Sequence, residues 1–270
     1  MSDELKTLLR QADIDDLRVL VEILTDNGKG RMSLSGDACK KLENALENAV
    51  NRESDLRSLA SDIAKEIELF GGNSIINLFR GRGVPYDEIV CDVADHFKVN
   101  YNKGQDTASI ELQILMKVLE KSFQEMPDEQ KKELLRELSD GDVVGIGPAS
   151  FAALVAIVNV GGFASYRMAL VVANATARQL TGRGLAFATN AGLTRAVSVA
   201  AGPIGWAITA VWTAFDLASP AYRVTVPAVI QTAYIRQKAL KSESSNTCLS
   251  CSADNKPNAK FCSECGTRLT

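Results

Sequence analysis

The sequence predicts a mainly α-helical protein with a multi-helix head, an Ala/Gly-rich helical hairpin region and a small C-terminal zinc ribbon. Three observations predict it. Residues 1–140 carry apolar stripes at helical spacing and no sustained period-two alternation. The stretches 143–166 and 196–215 contain no charged residue and are rich in Ala and Gly. Four cysteines near the C-terminus fall as Cys248-x-x-Cys251 and Cys262-x-x-Cys265. The expected division is an acidic helical domain over 1–140 that folds by itself, an apolar helical region over 141–238, a flexible Ser-rich linker over 239–247 and a ribbon over 248–270.

The head is punctuated by helix starts and stops. Ser2 with Asp3 and Glu4 opens a first helix carrying Leu5, Leu8 and Leu9 on one face. Asp13 caps a second with Ile14, Leu17, Leu20, Val21 and Leu24 in register, ended by Asn27-Gly-Lys-Gly30. Amphipathic stretches follow from Asp37 to Val50 and from Glu53 to Phe70, the latter closed by Gly71 and Gly72. A short helix is expected over Ile75 to Phe79, then one from Pro85 to about Phe97, after the Gly81-Arg82-Gly83 break. The next runs from Thr107 to Met126, with Ile110, Leu112, Ile114, Leu115, Val118 and Leu119 as its wide apolar stripe. The last spans Asp128 to about Leu138, behind Pro127.

The two uncharged stretches reach the roughly 20 residues that a helical membrane span needs. Their composition speaks less clearly, because Ala and Gly contribute little transfer free energy. Small residues recur four apart at Ala149/Ala153, Ala152/Ala156, Ala173/Ala177 and Ser198/Gly202, which lets helix backbones approach closely in a membrane or in a tight soluble bundle. Arg167, Arg178, Arg183 and Arg195 all lie between the two stretches. A spanning hairpin would place those arginines in the cytosol and both termini outside, whereas thiolate ligands at the C-terminus suit a reducing compartment. The two rules conflict under constitutive spanning. A buried helical core satisfies both, as does a hairpin that meets an anionic membrane surface reversibly.

Charge is divided unevenly along the chain. The formal net charge of −3 conceals 19 Lys+Arg against 29 Asp+Glu in residues 1–142, and 11 against 4 in residues 143–270. No basic cluster interleaved with aromatics is present, which disfavours a nucleic-acid partner. The N-terminus is charged and periodic rather than basic and then apolar, so the expected compartment is the cytoplasm, with peripheral contact at the inner membrane as the extension.

The cysteine spacing carries the clearest chemistry. Each Cys-x-x-Cys turn aims two sulfurs at one point, and four thiolates complete a tetrahedral Zn²⁺ site that is structural because no position stays open for substrate. Cys39 and Cys91 stand alone in helical patterns and are expected to be ordinary buried or half-buried residues. His96 is the sole histidine, and Asp92 one turn before it makes a solvated surface pair the expectation. There is no G-x-S-x-G, phosphate-binding loop, H-E-x-x-H or kinase signature, so no enzyme activity is expected. The Gly-rich lead from Phe70 to Gly83 places Arg80 and Arg82 beside a helix start. That arrangement suits either a capped helix break or a weak anion contact, to which Arg167, Arg178, Arg183 and Arg195 are the companion candidates.

The stretch FGGNSIINLFRGRGVPYDEIVCDVADHFKV, from Phe70 to Val99, and AYRVTVPAVIQTAYIRQ, from Ala221 to Gln237, resemble the YaaW-like family of uncharacterised bacterial proteins. That family is grouped with ubiquinol-cytochrome c chaperone domains. The resemblance runs from about Asp13 to Gln237. It implies an α-helical bacterial protein and supplies no catalytic residue. The leading expectation is a non-enzymatic interaction or regulatory protein that binds a protein partner through ribbon or acidic head and whose hairpin contacts membrane reversibly, as a membrane-active effector. The alternatives are an assembly chaperone for a membrane complex, which the resemblance implies, and a soluble helical homo-oligomer.

Overall fold

The computed structural model describes residues 2–25, 41–42, 44–45, 56–71, 83–102, 104–139, 150–159, 163–181, 222–244, 246–248, 250–251, 253–255 and 259–268. Helix α1 (Ser2–Gln11) places Asp3 and Glu4 in its first turn and Arg10 in its last, as the helix dipole favours, and buries Leu5, Leu8 and Leu9. Helix α2 (Ile14–Thr25) starts where the Leu17 N–H bonds the Asp13 carbonyl at 3.0 Å. The helix expected from Glu53 begins instead as a 3₁₀ turn over Leu56–Leu59 that passes into α3 (Ala60–Gly71). Leu56 is buried there, and Arg57 Nε donates to the Ala12 carbonyl at 2.8 Å, tying the turn to the α1–α2 corner.

The next helices show how the chain is punctuated. Gly83 lies against α3 so closely that a Cβ would sit 2.8 Å from Glu68 Cβ, while the Val84 N–H bonds the Glu68 carbonyl at 2.9 Å. A glycine is required at this point by proximity to backbone, and Gly83→Ala should destabilise the fold by roughly 1–3 kcal/mol, read from denaturant melts. Helix α4 (Tyr86–His96) follows Pro85, which is its N-cap residue at φ −53°. It stops at Lys98, whose φ of +55° is left-handed, with Lys98 N–H on the Asp95 carbonyl and Val99 N–H on the Ala94 carbonyl. Helix α5 (Thr107–Glu125) is capped by Asp106, which accepts from the Ser109 N–H at 2.9 Å and from its hydroxyl at 2.7 Å. Helix α6 (Asp128–Leu138) follows Pro127.

The first uncharged stretch is divided between two helices. Helix α7 (Phe151–Asn159) is nine residues long, and α8 (Phe163–Thr181) begins after Gly161 and Gly162 in the sequence. No helix among the described residues is long and apolar enough to cross a membrane. The second uncharged stretch, 196–215, lies outside the described residues, as do the helix expected over Ile75 to Phe79 and most of the one from Asp37.

Two helices are buried almost all round and form the axis of the body. In α8 the run 165–177 is buried, and Ala173 and Ala177, the small-residue pair read from the sequence, are both inside it. Helix α9 (Tyr222–Ser244) is buried from 224 to 236 and packs against α8 most extensively, then against α2, α5, α4, α1 and α3. A helix without a solvated face must lie inside its protein. Pro227 is within α9 and offers no N–H to the Arg223 carbonyl, which loosens the helix near its start. One apolar cluster runs from Leu5 to Ile235, so the change of composition at residue 140 does not coincide with a gap in the packing. The described residues 239–244, expected to be linker, are helical. Ala239, Leu240 and Lys241 are good helix formers and carry α9 through to Ser244.

The C-terminal module is small. Strands β1 (Asn246–Thr247) and β2 (Asp254–Asn255) pair antiparallel, Asn246 opposite Asn255 and Thr247 opposite Asp254, and a separate bridge joins Phe261 to Arg268. Among its described residues the buried centre is formed by Cys248 and Cys262, with Ala253 and Ala259 against them. That is far too little apolar surface to hold a fold without a cross-link.

Candidate metal centre

The two Cys-x-x-Cys turns converge as their spacing required. The sulfurs of Cys248, Cys251, Cys262 and Cys265 all lie within 4.8 Å of one another, with Cys248 Sγ to Cys265 Sγ and Cys251 Sγ to Cys262 Sγ both 3.5 Å. Regular tetrahedral zinc at about 2.3 Å per bond requires sulfurs about 3.8 Å apart. The two turns share one backbone device: the first cysteine of each donates its N–H to a carbonyl five residues on, Cys248 to Ala253 at 2.9 Å and Cys262 to Thr267 at 2.8 Å. In the second turn Gly266 N–H also bonds the Cys262 carbonyl at 3.0 Å, and its φ of +71° is a conformation suited to glycine. Asn255 holds the turns together, donating to the Ala253 carbonyl at 2.9 Å and accepting from the Ser263 N–H at 2.8 Å.

The electrostatics of the cluster suit a divalent cation. The Cys265 backbone N–H draws the Cys262 thiol down to about 6, and the Thr267 hydroxyl and backbone lower Cys265. The Ala253 N–H favours the Cys251 thiolate as well, but bonds to Cys265 and the other neighbouring sulfurs push Cys251 up to about 12. Four thiolates this close cannot all ionise without a compensating charge, which a cation at the centre would supply. These cysteines can hold a metal ion, with every tetrahedral position filled by sulfur.

A second constellation, which the sequence-based expectations missed, lies inside the helical body. Arg236 on α9 donates from Nε to Glu111 Oε2 at 2.7 Å and from Nη2 to Glu111 Oε1 at 3.3 Å, while its Nη1 meets Glu4 Oε1 at 2.7 Å. Tyr86 donates its hydroxyl to Glu111 Oε1 at 2.7 Å. Glu111 is 1% exposed, and this network ties α1, α4, α5 and α9 together. Burial pushes the Glu111 carboxyl up, while Arg236 and Tyr86 pull it back toward the ionised form. Two residues on, Lys238 bridges Asp13 and Asp16, the latter at 2.8 Å, and the nearby Gln231 amide donates to the Asp16 carbonyl at 3.1 Å. The sequence did hold a signal. Val224 to Ile235 contains no charge, so cations immediately beyond it at the end of a buried helix call for buried acids, and Glu111 interrupts the apolar stripe of α5.

Asp16 gives this clasp a pH dependence. Burial pushes its carboxyl up to about 6, against the pull of Lys238. Between about pH 4 and 6 the folded chain therefore holds this proton more tightly than the unfolded chain, and stability from this group falls as pH rises through that window. The stability of the natural chain relative to Asp16→Asn should be greater at pH 4 than at pH 7, by roughly 2–3 kcal/mol at most. Paired denaturation curves at the two pH values measure it.

The other candidates fall in different places. Arg167 is buried in α8 and so is turned away from any surface, and Arg178 is exposed near the end of the same helix. Arg80, Arg82, Arg183 and Arg195 lie outside the described residues, as does Cys39, and Cys91 is half-buried. His96 departs from the solvated pair expected with Asp92. Its ring stacks on Tyr222 at 4.0 Å and 22°, because α9 begins directly against the end of α4.

Residues 55–230 match the model of a family described as ubiquinol-cytochrome C chaperone. A UPF0174 protein of Helicobacter pylori strain J99 is 43% identical over 231 residues, covering 85% of this chain and 89% of that protein. A second from the same strain is 41% identical over 186 residues, covering 67% of this chain and 88% of its own length. The UPF0174 protein YaaW of Escherichia coli K12 is 28% identical over 240 residues, covering 88% and 95%. No solved structure matches the chain.

Proposed function

The chain belongs to the ubiquinol-cytochrome C chaperone family, together with the UPF0174 proteins, and from that membership we propose that it is a non-enzymatic assembly chaperone for a membrane complex that passes electrons from quinol to cytochrome c. The observation that carries the proposal is the family match over residues 55–230, which takes in most of the helical body. The chaperone binds a subunit of that complex through the surface of the helical body. It works in the cytoplasm at the inner face of the membrane, where such a subunit waits for its partners.

The packing supports this reading over a membrane-inserting effector. Of the described residues in the uncharged stretch 143–166, Leu154, Val158, Ser165 and Tyr166 are buried in protein while Ala152 and Ala156 are exposed, and Arg167 is buried just beyond it. Disrupting the gene and resolving membranes by native electrophoresis tests the proposal. The assembled quinol–cytochrome c oxidoreductase should fall while its unassembled subunits accumulate, and an intact copy of the gene should restore it. Normal assembly without the gene would refute the chaperone reading. Resistance of the protein to carbonate extraction would return the inserting hairpin to favour.

The ribbon binds one structural Zn²⁺ through Cys248, Cys251, Cys262 and Cys265. Purified protein kept reduced and free of chelator should carry one zinc per chain by metal analysis, and Cys262→Ser should lose it with little change in helical circular dichroism. Zinc content unchanged by that substitution would rule this site out.

A further inference from the structure

Among the described residues the large hydrophobic side chains that stand exposed are Leu240, at 48%, and Phe261, at 62%. They occupy complementary settings. Leu240 lines a cleft of about 410 Å³ between α1 and α9, where Leu8 and Ala239 supply apolar wall, Asp3 and Glu4 are solvent-facing carboxylates and Arg236 is largely buried. Phe261 projects from the ribbon. Lys260 precedes it, and Arg268 faces it across the antiparallel bridge. One surface is an apolar hollow with solvent-facing carboxylates, the other an aromatic knob with cations beside it.

We propose that Phe261 of one chain enters the α1–α9 cleft of a second copy, reciprocally, so that two ribbons are exchanged in a closed two-fold dimer. Charge complementarity selects this occupant. Lys260 and Arg268 flank the ring where Asp3 and Glu4 line the cleft, and Arg236 is already satisfied by Glu4 and Glu111. Asp3 keeps 98% of its side chain in solvent while standing 3.7 Å from Lys6, so it is accessible to an incoming cation. An aromatic side chain buries about 150–250 Å², and two such contacts stay below the roughly 1,200 Å² of a standard interface. The dimer is therefore weak and reversible, and salt loosens it because its flanking charges sit at the surface. Both chain surfaces that it uses are independent of the chaperone reading.

Sedimentation velocity of the full zinc-loaded chain, from low micromolar to several hundred micromolar, tests the proposal. A monomer–dimer equilibrium that weakens with salt is expected. Phe261→Asp and Leu240→Asp should each weaken it at least about tenfold, the loss typical of a central contact residue. Mixing the two variants should restore heterodimers, because one supplies an intact cleft and the other an intact knob. Zinc content and melting temperature establish that each variant is folded. Should either variant lose its fold, the pair Arg268→Glu and Asp3→Lys decides in its place, each weakening association alone and recovering it when mixed. A chain that stays monomeric throughout the range, association indifferent to these substitutions, or mixtures that fail to recover would each overturn the proposal. Loss of dimers with capture of an acidic client peptide at Phe261 would do the same.

Discussion

Arg236→Met is expected to destabilise the protein by roughly 3–5 kcal/mol, the cost of leaving a buried charge without its partner. The carboxylate it leaves behind is Glu111, which is 1% exposed and takes two of the guanidinium's hydrogen bonds. Tyr86 alone can then donate to it. The group's remaining escape is to bind a proton, which raises its folded-state pKa further above the unfolded value. Loss of stability in the variant should therefore grow as pH rises from mildly acidic to mildly alkaline, and chemical denaturation at the two ends of that range measures it. Converting Glu111 to Leu in the same chain should recover most of the deficit, because a buried ion pair replaced whole by apolar groups is often neutral. A single variant as stable as the natural chain, or a double variant no better than the single, would show that the network does not hold the helices together.

A fragment ending at residue 140 is expected to lack a cooperative melt. Helix α9 buries Val224, Val226, Val229, Ile230 and Ile235 and packs against α8 and against the head helices α2, α5, α4, α1 and α3, and α8 adds a second buried rod. At roughly 1.5–3 kcal/mol per buried side chain these five residues contribute about 8–15 kcal/mol, as much as the whole net stability of a typical domain, about 5–15 kcal/mol. The fragment should keep helical circular dichroism in part, bind a hydrophobic dye and unfold over a broad range of temperature. A sharp transition with native-like amide dispersion would establish the acidic head as a domain of its own.

How much was legible in the sequence differs from element to element. Helix starts were plain wherever a proline marked them, as at Pro85 and Pro127, whereas the Asp106 cap emerged only from the structure. The stop near Phe97 was legible to within a residue, and only the left-handed residue behind it was hidden, since such a residue is announced by glycine and here it is Lys98. The convergence of the four cysteines was readable, because two Cys-x-x-Cys turns at this spacing define a point without help from the rest of the chain. The core axis was not. Absence of charge drew the eye to 143–166, whereas the most buried rods are α8 and α9, which keep Arg167, Gln231 and Arg236 inside by giving them polar or packed surroundings. Hydropathy averages each window alone and cannot register that an arginine in one helix is answered by a glutamate 125 residues away.

The position of α9 in the order of synthesis has a kinetic consequence. Its contacts join Gln231 to Asp16 across 215 residues and Arg236 to Glu4 across 232. At about 5–20 residues per second, the N-terminal helices wait on the order of ten seconds or more on the ribosome before the helix that covers them is made. During that interval the faces of α2 and α5 that pack against α9 have no permanent shelter. The polypeptide thus passes through a partly covered, adhesive stage of its own before it reaches the native state, and closure of such distant pairs places it among slow-folding helical proteins.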